Sequence, residues 1–296
     1  MPVYHVIQLL RIPFSYYLTP VFLFALSMAE TYNMDKIVLL FIALHLFIYP
    51  ASNAYNSFMD QDESSVGGLK NPPKAGNEVF YVSIVFDLIG LGICYYISIY
   101  LCFLVLGYVI VSRAYSWHGI RLKKYPLISF LTVFVFQGAY IYALVFVFTQ
   151  DLPLYEIILQ NNFAIPALIS SMNLAGIYPL TQVYQHKADE KAGDYTFSRW
   201  LGIRGTFEFS AVCFAVVAIL MGYHFTGTNQ SHLFYIFMLF IFPVVAYFLW
   251  WAAKVWMDVK QANFRYTMIL NKVASTSLNL YFLSIIAIKH FHELPL

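Results

Sequence analysis

Charge is scarce in this chain. Of 296 residues only 11% are charged, against about 25% in a typical soluble domain. Polar groups therefore cannot cover its surface, and water is excluded as its main solvent. The net charge of +2 is too small to hold the nucleic-acid backbone, so no nucleic-acid partner is expected. Cysteine is nearly absent: Cys94, Cys102 and Cys213 sit in apolar runs without metal-ligand spacing, which leaves them a packing role. His118 and His186 stand apart, so a Cys/His zinc or copper centre is excluded as well. No small-residue cleavage site follows Arg11, and the first apolar stretch is expected to stay as a span.

Hydrocarbon is abundant instead: 60% of residues are hydrophobic and mean hydropathy is +0.67. A helix needs about 20 apolar residues to cross a bilayer. Segments of that kind lie near 13–29, 37–50, 79–96, 98–112, 127–148, 164–182, 207–223, 233–252 and 272–288. This predicts an all-α, multi-pass bundle of nine helices, a single integral-membrane domain over 1–296 with lipid as its surroundings. The basic residues sort along the same map. With the N-terminus inside, fifteen Lys and Arg fall in inner segments and only Lys36 and Lys289 in outer ones. The positive-inside rule then predicts a cytoplasmic N-terminus, an external C-terminus and a cell (inner) membrane location with the polar chemistry facing the cytoplasm.

That chemistry gathers in two acidic stretches. In "SNAYNSFMDQDESS", residues 52–65, a continuing helix would align Asn53, Asn56, Asp60 and Glu63 in one stripe. In "QVYQHKADEKAGDY", residues 182–195, Gln182, Gln185 and Asp189 repeat the first two spacings at a constant offset of 129 residues. Duplication of a four-helix unit would explain the register. Oxygen-only ligands suit magnesium, which takes one or two carboxylates and completes its shell with water and substrate phosphate. Two stripes facing one another would hold several ions around a diphosphate. Polar groups that merely solvate helix ends are the blander reading, and the matched spacing of two stripes on one side speaks against it. Asp87, Gln137, Asn173 and Asn279, lone polar residues within spans, are expected to hydrogen-bond between helices.

These motifs resemble those of the UbiA superfamily of intramembrane prenyltransferases, which has nine helices, an NDxxDxxxD motif after the second and a DxxxD motif after the sixth. The matching stretches are "NAYNSFMDQDE" and "QHKADEKAGDYT", the second followed by "RWLG". The pattern departs at Ser57, Ser64 and Gln185, where the family often has aspartate; Asp62, Glu63 and Asp194 are the candidate replacements. The loop "SRAYSWHGIRLKKYP", residues 112–126, is similar to the family's tyrosine-and-lysine loop. The resemblance implies two or more Mg2+ ions held by Asn56, Asp60, Asp62, Glu63, Asp189 and Asp194. It implies an isoprenyl diphosphate gripped by Asn53, Asn56, Gln185, Arg121, Lys123 and Lys187, with Asp60, Asp189, Arg121, Lys123 and Tyr115 carrying the chemistry. The expected reaction is transfer of the prenyl chain to a lipophilic acceptor, an aromatic ring among the candidates. A membrane terpene cyclase using the same ionisation site is the alternative. An ion-coupled transporter is a weaker third reading, because its acids belong near the bilayer midplane with access from both faces.

Overall fold

A computed structural model describes residues 1–293, with side chains through Lys289; the last three residues of the expected domain lie outside the described part. Among the described residues eight helices are long and apolar enough to cross a membrane. They are α1 (Val3–Met28), α2 (Met34–Asp60), α3 (Asn77–Ile97), α4 (Ile99–Ser116), α5 (Pro126–Phe148), α8 (Phe197–Gly227), α9 (Ser231–Met257) and α10 (Phe264–Lys289). Between α5 and α8 lie α6 (Ala164–Leu180), apolar but only 17 residues long, and the short α7 (His186–Ala192). At about 1.5 Å per residue α6 is nearly 26 Å long, somewhat short of the roughly 30 Å hydrocarbon layer.

The loops gather at two ends of the bundle. At one end Asn33 donates its backbone N–H to Thr149 O at 2.9 Å and its amide to Asp151 at 2.7 Å. Asn162 reaches Met28 O at 3.1 Å there. At the other end the turns after α2, α4 and α6 meet: Arg121 bonds Asp194, and Gln185 approaches Ser65 O at 3.4 Å. The amino group of Met1 lies 2.6 Å from Glu78, which puts the N-terminus at this second end, with the acids.

Several spans depart from regular helix, each for an identifiable reason. Arg11 adopts a left-handed backbone (φ 47°), and a 3-10 turn over Ile12–Tyr17 carries α1 onward. The expected start near 13 therefore misses two turns. α2 and α5 each contain a π-turn, Ala43–Ile48 and Phe134–Ala139. In α5 the displaced backbone groups are recovered by Ser171 of α6, whose hydroxyl donates to Phe134 O at 2.6 Å and accepts from Ala139 N–H at 2.8 Å. The close approach needs Gly138, since a Cβ there would stand 2.5 Å from Ser171 Cα. In α8 the helix breaks at Gly202 (φ 71°, ψ 170°), a conformation essentially confined to glycine. The "RWLG" glycine is thus a hinge between Phe197 and the main span.

Two intramembrane polar residues separate here. Asp87 of α3 does bond within the bundle: Arg113 of α4 donates its Nε at 3.1 Å, and also bonds the Ser83 hydroxyl at 3.0 Å. The guanidinium lies 4.1 Å over the Tyr55 ring. Arg113 therefore neutralises a buried acid and is more than a topology charge. Asn279, expected to bond across helices, has neither amide atom paired.

Candidate active site

The helix α2 carries the first acidic stretch into the end of the bundle and then stops. Gln61 turns left-handed (φ 50°), its N–H bonds Ser57 O, and its side-chain amide bonds Phe58 O and Ala75 O at 2.8 and 3.1 Å. This cap ends the expected stripe at Asp60. Asp62, placed by the turn, lines the cavity, whereas Glu63 is exposed and does not. From the other half, a turn over 181–185 and the helix α7 bring Gln182, Gln185 and Asp189 to the same wall.

Both stretches rim one cavity of about 570 Å3. Asn53, Asn56, Asp60, Asp62, Gln185, Asp189 and Asp194 line it, together with Tyr115 and Lys123 from the α4–α5 side. Arg121 stands just behind. Its Nε and an Nη donate to the two Asp194 oxygens at 2.7 and 2.9 Å, and it lies 3.6 Å from Asp60. Lys123 pairs with Asp60 and sits 3.6 Å from Asp194. Tyr115 shares a 2.5 Å hydrogen bond with Tyr178, whose hydroxyl accepts the Gln182 amide at 2.7 Å. Lys187 is exposed and does not line the cavity. His118 contacts Arg121 at 3.1 Å and His186 bonds Ser198 at 2.8 Å, as ordinary interfacial histidines do.

Electrostatics distinguishes the acids. Burial, reinforced by the charge of Asp60, pushes the Asp62 carboxyl up to about 6. Burial pushes Asp189 up to about 6 too, against the opposing pull of Thr196, which donates to it at 3.0 Å. Asn56 Oδ1 and Asp62 Oδ2 are buried without a hydrogen-bond partner. Orphaned oxygens of this kind suit a hard cation. Among the described residues no three His, Cys, Asp or Glu side chains are grouped to hold an ion unaided. Magnesium needs only one or two carboxylates, since phosphate and water complete its shell.

Residues outside the sequence expectation complete the rim. Arg11 is 6% exposed, donates to Asn53 O at 2.8 Å, and its charge acts on Asp62. A Cβ at Gly67 would collide with its guanidinium, 2.0 Å from Nη1; Gly67 itself is at φ 38°. Tyr178, Tyr184, Ser52, Thr181 and Thr196 also line the cavity. A signal for four of them was present. The offset of 129 residues extends to Tyr49/Tyr178, Pro50/Pro179, Ser52/Thr181 and Tyr55/Tyr184, so "YPxSNxYNxxxD" and "YPxTQxYQxxxD" run in register. Below the rim the walls become apolar, with Phe136, Leu174, Ile177, Phe214, Val244 and Phe248.

This arrangement, an acid-and-cation rim over an apolar chamber, matches the chemistry of a ligand with an anionic head and a hydrocarbon body. A comparison with curated protein sequences finds no match. Among solved structures, a UbiA homolog from Archaeoglobus fulgidus bound to GPP and Mg2+ superposes with a TM-score of 0.65 at 18% identity, covering 96% of this chain and 99% of that one. An apo UbiA homolog from Aeropyrum pernix K1 gives 0.67 at 13% identity, with 94% and 98% covered. A structure of digeranylgeranylglyceryl phosphate synthase gives 0.61 at 16%, with 96% and 99% covered. At these identities the likeness establishes the fold alone. The model of the UbiA prenyltransferase family matches residues 17–273, from the 3-10 turn of α1 to the third turn of α10, and the chain belongs to that family.

Proposed function

We propose that the protein is a magnesium-dependent intramembrane prenyltransferase that ionises an allylic isoprenyl diphosphate and passes the prenyl chain to a lipophilic acceptor. The observation that carries this reading is the convergence of Asn56, Asp60 and Asp62 with Gln185 and Asp189 at one mouth of an apolar cavity. An allylic C–O bond breaks when negative charge growing on the leaving group is stabilised. Two or more Mg2+ ions bound at Asn56, Asp60, Asp62 and Asp189 would supply that stabilisation as Lewis acids. Lys123, paired with Asp60, is placed to turn its ammonium toward the diphosphate. Arg121 fixes Asp194 and with it the loop that presents Lys123. Tyr115, bonded to Tyr178, offers a hydroxyl at the rim, and the aromatic rings of Tyr108 and Phe136 line the chamber; a cation beside such a face gains about 0.5–2 kcal/mol. The Archaeoglobus homolog's complex with GPP and Mg2+ makes the same donor class reasonable here. The register between the two halves supports an ancestral duplication within a single domain, and the basic residues at the acid end support a cytoplasmic site in the cell membrane.

Incubating the purified protein with geranyl diphosphate and Mg2+ tests the reading. Transfer requires pyrophosphate release that rises on adding an acceptor. A cyclic hydrocarbon product without acceptor would instead establish cyclisation, and release that is independent of metal would end the proposal.

Two further results are expected. Protons compete with the metal for Asp62 and Asp189, and both carboxyls titrate near 6. Apparent Mg2+ affinity should therefore hold at pH 8 and fall as pH drops through about 6, by up to about tenfold per pH unit for each carboxylate that must lose its proton. Isothermal titration at pH 8, 6.5 and 5.5 checks this. At the far end of the cavity, Phe237, Val217 and Leu278 also border a second small void, of about 20 Å3, backed by Phe24, Met221 and Phe282. Phe237→Ala joins the two spaces. The ratio of kcat/KM for geranylgeranyl over geranyl diphosphate should then rise about tenfold, since burying two more methylenes contributes about 1.6 kcal/mol.

A further inference from the structure

The second acidic stretch opens on a side chain that does not act as its spacing implies. Gln182 begins the stripe continued by Gln185 and Asp189, yet it is only 5% exposed. Both ends of its amide are engaged within the protein. Its Nε2 lies 2.7 Å from the Tyr178 hydroxyl, and its Oε1 lies 3.2 Å from the backbone nitrogen of Ser198. Ser198 is the second residue of α8, where backbone N–H groups have no partner inside the helix. It is held there in turn, because its hydroxyl meets His186 Nε2 at 2.8 Å and the Thr206 hydroxyl at 2.9 Å. Gln182 is thus a bracket between the first turn of α8 and a tyrosine on the cavity wall.

The bracket has a direction. A backbone N–H can only donate, so the Gln182 oxygen faces Ser198 and its NH2 group faces Tyr178. An amide nitrogen also only donates, so the Tyr178 oxygen accepts there and its own proton points elsewhere. Tyr115 is 2.5 Å away. Ser129, the other polar neighbour of Tyr178, gives its proton to Pro126 O at 2.9 Å. Tyr115 lines the cavity, and Tyr178 is the one hydrogen-bond partner its hydroxyl has among the described residues.

We propose that Gln182 and Tyr178 are positioning residues for Tyr115. Gln182 donates to Tyr178, Tyr178 donates to Tyr115, and the Tyr115 proton is left for a diphosphate oxygen in the cavity. This deepens the prenyl-transfer reading and rests on it. Each donor in such a chain polarises the next, so the last hydroxyl is a better donor than an isolated phenol. A chain running the other way would use the Tyr115 proton on Tyr178 and turn a lone pair toward an anion. The donated proton matters most as charge grows on the leaving group, so the effect belongs in kcat and little of it in ground-state binding.

The test measures two quantities on the purified full-length protein with Mg2+: kcat for pyrophosphate release from geranyl diphosphate, and binding of geranyl thiodiphosphate, which resists ionisation, by equilibrium dialysis. Tyr115→Phe should lower kcat about 10²-fold. Gln182→Leu and Tyr178→Phe should each lower it about tenfold, with thiodiphosphate binding within twofold of the wild type. In the Tyr115→Phe background the same two substitutions should cost less than a further twofold, because the hydroxyl they position is gone. If Gln182→Leu does not accumulate, Tyr178→Phe alone and in the Tyr115→Phe background carries the test. An unchanged or faster Tyr178→Phe enzyme would show the hydrogen bond running from Tyr115 to Tyr178 and overturn the proposal. So would a tenfold loss that persists in the Tyr115→Phe background, which would make the bracket a support of the fold only. Failure of the wild type to release pyrophosphate at all would instead overturn the prenyl-transfer reading beneath it.

Discussion

Asp60→Asn and Asp189→Asn should each slow pyrophosphate release from geranyl diphosphate by about 10²–10³-fold, the usual effect of removing one group that stabilises charge in a transition state. Their stabilities should differ. Asp189 has one hydrogen-bond partner, Thr196, and an asparagine keeps an acceptor for it. Its buried charge is costly enough to push the carboxyl up to about 6, so Asp189→Asn should melt no lower than the wild type in the absence of metal. Asp60 answers Lys123, a side chain only 12% exposed, and its loss leaves a buried ammonium with Asp194 alone at 3.6 Å. Asp60→Asn should therefore be less stable as well as slow. Pyrophosphate release and thermal unfolding measured side by side give both results. Full turnover in either variant would remove the assigned metal role.

Arg121→Met should be the most damaging substitution in the α4–α5 loop. Asp194 is 3% exposed and accepts two bonds from this one guanidinium. Removing one partner of a buried pair costs up to about 3–5 kcal/mol, and here the carboxylate left behind keeps only Lys123, 3.6 Å away. The double variant Arg121→Met/Asp194→Asn should recover most of that stability, since it strands no charge, and should remain without activity. Chemical denaturation of the four proteins of the cycle measures the coupling. Independent, additive effects would mean that the pair does not hold the loop as described.

How much could be read from the residues alone follows their chemistry. Apolar runs were enough for the membrane bundle, since hydrocarbon length is a one-dimensional property. Their ends were less legible: α1 begins at Val3 because Arg11 turns the backbone and does not end the span, and α8 runs over Phe197–Gly227 through the break at Gly202. Asp60 and Asp189 reached the cavity as their spacing implied. Of the two acids named beyond Asp60, Asp62 lines the cavity and Glu63 does not, because a left-handed Gln61 is a local backbone choice that a stripe of side chains does not reveal. The tyrosines that share the 129-residue register, Tyr49/Tyr178 and Tyr55/Tyr184, fall outside a stripe defined by amides and acids. Arg11 and Arg113, counted as topology charges, proved to be partners of buried groups, a distinction that depends on contacts between helices. Lone polar residues in the spans were ambiguous for the same reason: Asp87 found Arg113, while both amide atoms of Asn279 stay unpaired.

The central claim is that the stretches ending at Asp62 and Asp189 hold one diphosphate through shared divalent ions. The direct measurement is a crystal structure with Mn2+ and geranyl thiodiphosphate, read through the anomalous signal of manganese. Manganese peaks within coordination distance of Asp60 or Asp62 on one side and Asp189 on the other, bridged by a single diphosphate, are the expected result. Manganese held by one stretch alone, or a diphosphate bound away from both, would contradict the account.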